Sequence, residues 1–287
     1  MTDAHCNTVY LSSALVRYRE LYDKMRFELQ AAGIDVRLIE GTCNVWARDY
    51  MPLQVGDHWV KFRYVKDFKT WPQLVVPDAC WEHLGDVKRS DIILDGGNVV
   101  RHNEKVLMTE IVFPMNADRG RAALRADLEE LLESEIIWLP VEPDDTLGHS
   151  DGVAAWIDDN TVFVNDYQTT WDPPLQDYGR RLRKALTSRG IECEPFPFAY
   201  NSHLISHMEF RRRYPAADDF APAVGYSINF LHCDGIVLHP TFGTFRDEEA
   251  ATLLKQAFPG TRIVGVDCRE LAMEGGCTRC VSMAYAI

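Results

Sequence analysis

The feature that most constrains this chain is a recurrence. Short apolar strands, hairpins and single helices follow one another, and a polar landmark closes each unit. The landmarks are Asp49, Asp95, His149, Asn229 and Cys280, separated by 46, 54, 80 and 51 residues. A period of about 50 residues points to similar modules set around an axis, each too small to bury its apolar face alone. Strand ends in such an array converge, so the landmarks are expected to meet at one pocket. No linker or low-complexity stretch divides residues 1–287. The expectation is a single domain of mixed α/β class.

Apolar residues at a spacing of three to four predict helices over 11–33, 117–132, 175–188 and 247–258. Short β-rich runs predict strands at 36–39, 53–65 (with a turn at Gly56-Asp57), 92–94, 106–113, 136–141, 191–196 and 262–266. The run 106–113 is expected to neighbour 92–94. Hairpins are expected at 153–157 with 161–165, and at 226–231 with 235–239. Residues 44–52 mix aromatic, charged and proline residues, as a binding loop would. Residues 201–223 are polar, contain Pro215, and read as an insertion or lid.

Composition excludes several classes. The net charge of -13 and the absence of a basic stretch argue against a nucleic-acid partner. No run reaches 18 apolar residues, so no membrane span is expected. Residues 1–7 are polar and unlike a secretion signal. The eight scattered cysteines therefore read as reduced thiols of a cytoplasmic protein. Cys277 and Cys280 form one C-x-x-C pair, and zinc would need a second pair at similar spacing. His203 and His207 lie four apart without a nearby third ligand, and read as surface or lid residues. Neither a metal nor a cofactor is expected.

The last thirteen residues carry a nucleophile. Gly275-Gly276 allows close backbone approach. Cys280 follows Arg279, a fixed charge expected to favour the thiolate, and an apolar strand ends the chain. His149, between Gly148 and Gly152, is a general acid/base candidate. Asp151 lies two residues on and is expected on the same side as His149 in extended backbone. Asp49 and Asp95 add two carboxylates. A thiol nucleophile among carboxylates suits a cationic electrophile rather than a peptide or ester, which needs hydrogen-bond donors around its oxyanion. A guanidinium is planar and pairs bidentately with carboxylates. The residue types thus favour a hydrolase acting on a small guanidino compound.

Five motifs stand in order: Trp46-x-Arg48-Asp49-x-x-Pro52, Asp95-Gly96-Gly97-Asn98, Gly148-His149-x-Asp151-Gly152, Tyr226-Ser227-Ile228-Asn229-Phe230 and Gly275-Gly276 with Arg279-Cys280. Together they resemble the agmatine deiminase and peptidylarginine deiminase family of guanidine-modifying penteins, from about residue 36 to the C-terminus. The resemblance implies a five-bladed α/β propeller with its pocket on the pseudo-fivefold axis. It implies that Cys280 attacks the guanidinium carbon, that Asp49 and Asp151 clamp its nitrogens, and that His149 protonates the leaving ammonia and then activates water. Asp95 stands where the family usually has a glutamate orienting the histidine. Trp46 would wall the pocket, and Asn229 belongs to the substrate-binding set. The sequence Gly-Gly-Cys-Thr-Arg-Cys departs from the agmatine deiminase form, and the Arg-Cys-x-Ser-Met form of residues 279–283 is closer to arginine deiminases. Agmatine is the first expected substrate, arginine or peptidyl-arginine the others. Amidino transfer and a non-catalytic binding pentein are the alternatives, and a homodimer is compatible with this reading. Cys277 is a second thiol that could pair with Cys280 when oxidised.

Overall fold

Thr8–Ser12 forms β1 at the centre of a three-stranded sheet, between the last strand of the chain and Asp35–Ile39, β2. The computed structural model describes residues 3–67, 69, 71–143, 145, 147–199 and 222–287. The proposed lid at 201–223, with His203 and His207, lies outside the described residues apart from its last two positions.

Four further sheets repeat the plan. Leu53–Val55 (β3), His58–Arg63 (β4) and Val87–Ile93 (β5) form one, and Val100–His102 (β6), Lys105–Thr109 (β7) and Glu135–Leu139 (β8) the next. Ala154–Trp156 (β9), Thr161–Asn165 (β10) and Glu192–Phe196 (β11) follow, then Leu231–Cys233 (β12), Ile236–Thr241 (β13) and Arg262–Asp267 (β14). In each, two strands pair antiparallel and the middle one takes a parallel third strand. Ser282–Tyr285, β15, pairs antiparallel with β1, with Thr8 opposite Tyr285. The C-terminus therefore completes the sheet that the N-terminus began.

Helices carry four of the five parallel crossovers: Arg19–Ala31 (α1), then Arg121–Leu132, Pro173–Thr187 and Arg246–Ala257. The third of these shows why. Asp172 accepts a hydrogen bond from the Leu175 amide, and Pro173 opens the first turn, where its missing N–H costs nothing. Leu175, Tyr178, Leu182 and Leu186 then line one buried face.

Three sequence expectations change. Residues 11–33 are not one helix: β1 takes Leu11, Ser12 caps a short turn, and α1 starts at Arg19. All five residues of β1 are buried, and a fully buried strand lacks the alternation that separates it from helix. The run from 106 pairs with β6 and β8, not with 92–94. In the 226–231 half of the proposed hairpin, only Leu231 is strand.

The plan fixes where the landmarks fall. Each lies where one sheet's parallel strand hands over to the next sheet's hairpin. Asp49 lies between β2 and β3, Asp95 between β5 and β6, and His149 and Asp151 between β8 and β9. Asn229 lies between β11 and β12, and Cys280 between β14 and β15.

Candidate active site

Residues 44–52 form a connection with one short helical turn inside it. Ala47–Tyr50, here α2, is buried throughout. The Arg48 amide donates to the Cys280 carbonyl at 3.1 Å, which ties the first junction to the last. Asp49 Oδ1 accepts the Gly97 amide at 3.2 Å and lies 3.7 Å from His149 Nδ1. Gly97 is required here. A Cβ on it would lie 2.5 Å from His149 Nδ1 and 2.8 Å from Asp49 Oδ1.

His149 is gripped on both sides. Its Nε2 lies 3.1 Å from Asp95 Oδ2, so the aspartate reaches the imidazole despite its short side chain. Its backbone amide donates to Asp145 Oδ2 at 3.0 Å. Lys66 adds a cation the sequence reading did not single out: its Nζ donates to the same Asp95 Oδ2. No periodicity or motif marked Lys66, a lone lysine beyond β4. Atoms of Asp49, Asp95 and His149 lie within 4.8 Å of one another, a grouping that could hold a cation. The Lys66 ammonium already occupies one side of it.

Asp151 and Arg279 form a buried ion pair, Nη1 to Oδ2 at 2.9 Å, and Arg279 Nη2 also donates to the Val99 carbonyl at 3.2 Å. Arg279 was expected to favour the Cys280 thiolate. It does so in direction but only weakly, because its guanidinium is paired with Asp151. Burial pushes the Cys280 thiol well above the usual cysteine range, and Asp151 and Asp49 push the same way. The Cys277 amide and Arg279 oppose them more weakly. These influences favour the thiol form of Cys280.

Asn229 holds that thiol in place. Its Oδ1 lies 3.3 Å from Cys280 Sγ, and its Nδ2 donates to the Asp151 carbonyl at 3.2 Å. Its own carbonyl accepts from Thr278 Oγ1 and from the Arg279 amide. Trp46 packs on the Gly275-Gly276 turn, where a Cβ on Gly276 would run into its ring and lie 2.9 Å from Cys280 Cβ. Cys277 is fully buried and Cys280 partly accessible, which distinguishes the two thiols.

A cavity of about 50 Å³ opens onto Cys280, His149, Asp151 and Asn229, with Asp145 and Tyr226 also on its wall. The Tyr226 hydroxyl donates to the buried Glu142 carboxylate at 2.7 Å. No lysine or arginine is among the described lining residues. Burial opposes charge on His149, yet Asp49, Asp95 and Asp151 outweigh it and raise its pKa to about 9. Burial raises Asp49 to about 6. Burial also works against the Asp95 carboxylate, but His149 and Lys66 hold its pKa below the usual range. The site therefore favours a thiol at Cys280 and a proton on His149, beside carboxylates that Lys66 and Arg279 partly offset.

Comparison with known proteins gives the family and the fold. The family model for Porphyromonas-type peptidyl-arginine deiminase matches residues 7–285. The agmatine deiminase of Ectopseudomonas mendocina (strain ymp) is 24% identical over 264 residues, covering 86% of this chain and 69% of that protein. The agmatine deiminase of Pseudomonas aeruginosa (strain LESB58) is 25% identical over 217 residues, 70% of this chain and 59% of that protein. A relative from Marinomonas sp. (strain MWYL1) is matched over 57% of its length. Thus the matched region spans less than two thirds of some relatives. Among solved structures, the agmatine deiminase of Enterococcus faecalis superposes with a TM-score of 0.74 at 20% identity, covering 99% of this chain and 94% of that one. Dimethylarginine dimethylaminohydrolase (DDAH) from Pseudomonas aeruginosa superposes at 0.61 and 13% identity, covering 98% of this chain and all of that one. The fold is the pentein fold, and its five three-stranded sheets are the five blades.

Proposed function

The chain belongs to the Porphyromonas-type peptidyl-arginine deiminase family, and on that footing we propose that it hydrolyses the guanidinium group of agmatine or a related small guanidino compound. One observation carries the reading: Cys280, His149 and Asp151 line one small cavity whose described wall has acidic side chains and no lysine or arginine. A free arginine would bring a carboxylate into that wall. A substrate cationic at both ends meets no such repulsion, which favours agmatine.

A guanidinium beside Asp151 and Asp49 offsets the charge that holds the Cys280 proton, so that proton passes to solvent water and the thiolate forms as substrate binds, His149 keeping its own proton. Sulfur attacks the guanidinium carbon. The tetrahedral adduct collapses with cleavage of a C–N bond, and His149 gives the leaving nitrogen its proton, releasing ammonia. The product of this half is a thiouronium on Cys280. Neutral His149 then takes a proton from water as its oxygen attacks the same carbon. The C–S bond breaks as the proton of the new C–OH group passes to the departing sulfur, which restores the Cys280 thiol and leaves a neutral ureido product. Asp95 fixes the imidazole and Asn229 fixes the sulfur. Trp46 supports the glycine turn behind Cys280.

The closure of β15 on β1 supports reading residues 1–287 as one unit. No described helix is long and apolar enough to cross a membrane. A cytoplasmic location, without nucleic-acid or membrane partners, accords with that observation and with the acidic composition.

The test is ammonia release from agmatine, arginine, N-methylated arginines, guanidinoacetate and an arginyl peptide, with Cys280→Ala beside the native protein. Release from agmatine, lost in the variant, is expected. A folded native protein that releases ammonia from none of them overturns the reading. Amidino transfer would then show as product formed only with an added amine.

A further inference from the structure

Asp95 is held through one oxygen only. Oδ2 accepts from Lys66 Nζ and faces His149 Nε2, while the buried Oδ1 has no hydrogen-bond partner among the described residues. A buried carboxylate with a single imidazole partner would be under-compensated, so the lysine is what completes this one. Lys66 is itself largely sheltered, with 15% of its side chain exposed, and its ammonium lies 5.2 Å from the centre of the Tyr64 ring. Tyr64 is anchored in turn: its hydroxyl accepts from Asn44 Nδ2 at 3.0 Å, and its ring meets Tyr50 of α2 edge-on. The placement of Lys66 is thus built into the same segment that carries Asp49.

We infer that Lys66 is a positioning residue of the proposed reaction, acting on His149 through Asp95. It rests on that reaction for its purpose, but its effect on the imidazole does not need turnover. The charged and titratable groups around His149 are Asp49 from α2, Asp95, Asp145 on its own loop, Asp151 in the following turn, and the Cys280 thiol. The Asp151 charge is met by Arg279. Lys66 is the cation that meets Asp95. Without it the imidazolium would face the full Asp95 charge and release its proton less readily. His149 has to lose that proton to ammonia and then act as a base on water. The lysine therefore keeps the histidine able to change state between the two halves of the cycle.

The test uses Lys66→Met, Lys66→Gln and Lys66→Arg in the full chain. The His149 imidazole titration is read by NMR without substrate, assigned against His149→Phe. In Lys66→Met and Lys66→Gln its midpoint is expected to rise by about one pH unit, and Lys66→Arg, which keeps the charge, is expected to restore it. With a guanidine that the native protein hydrolyses, Lys66→Met is expected to lose about tenfold or more in kcat, without a rise in KM and without build-up of thiouronium on Cys280 by mass, because the slowed step is proton transfer to the leaving nitrogen. An unmoved His149 midpoint in either folded neutral variant overturns the inference. So does a Lys66→Arg protein shifted as far as the neutral ones. If the native protein hydrolyses no guanidine, the proposed reaction fails, while the titration still decides what Lys66 does.

Discussion

Arg279 places its Nη1 2.9 Å from Asp151 Oδ2, both side chains buried, and so the residue next to Cys280 in the chain is held by the pocket carboxylate. Asp151 is thereby fixed in the pocket wall. Removing one partner of such a pair strands a buried charge, which typically costs about 3–5 kcal/mol. Arg279→Met is expected to lose stability of that order in urea unfolding. Arg279→Lys is expected to recover only part, because an ammonium cannot reach Asp151 and the Val99 carbonyl with the same fork. A fully stable Arg279→Met would show that the pair contributes nothing.

The raised pKa of Cys280 gives an expectation for labelling. A neutral haloacetamide should modify the exposed Cys43 well before Cys280 at neutral pH, since the thiolate is the reactive form. A haloacetamidine carries the positive charge that Asp49 and Asp151 favour. It should reverse the order, by about tenfold or more at neutral pH, for a carboxylate within reach changes such equilibria by one to three pH units. Peptide mass mapping after each reagent reads the result. Equal selectivity for both reagents would mean that the carboxylates do not act on the thiol.

Gly97 and Gly276 are the places where backbone meets site. A methyl at Gly97 would lie 2.5 Å from His149 Nδ1, and one at Gly276 would meet the Trp46 ring. Gly97→Ala is expected to displace His149 and Asp49 together and to cost about 1–3 kcal/mol in strain. Its activity should fall by about tenfold or more, because a displacement near 1 Å is enough to lose that much alignment. Gly120→Ala is the control, since a Cβ there meets nothing within 4 Å. Loss of activity at Gly97 but not at Gly120 ties the effect to the site.

Much of this was legible in the sequence, for a physical reason. A propeller of small modules repeats its junctions, so Asp49, Asp95, His149, Asn229 and Cys280 stand out at module spacing. The hairpin at 153–165 and the C-terminal strand were readable from local pattern alone. What was not readable came from pairing in space. Arg279 looked like the partner of Cys280 because it is next to it in the chain. Its partner, Asp151, lies 128 positions away. Lys66 carries no motif and matters only through Asp95. The central strand β1 passed for helix because burial on both faces erases alternation.

His149 also links the site to the stability of the whole molecule. Burial disfavours its charge, but Asp49, Asp95 and Asp151 lift its folded pKa from 6.5 to about 9. A group raised in this way contributes stability that is fully present below its unfolded pKa and is lost as pH rises through the folded one. The window is therefore pH 6.5 to about 9. Asp49, raised to about 6, changes its share below that window. Lys61, lowered to about 8 by burial, acts in the opposite sense above pH 8, because the unfolded lysine keeps its proton longer. A difference measurement removes such shared contributions. The unfolding free energy of the native protein minus that of His149→Gln is expected to fall by on the order of 3 kcal/mol between pH 6.5 and 9. Urea titrations at half-unit pH steps would show it. A flat difference across that window would mean that the folded protein holds His149 neutral, and the first proton of the proposed reaction would then have to come from elsewhere.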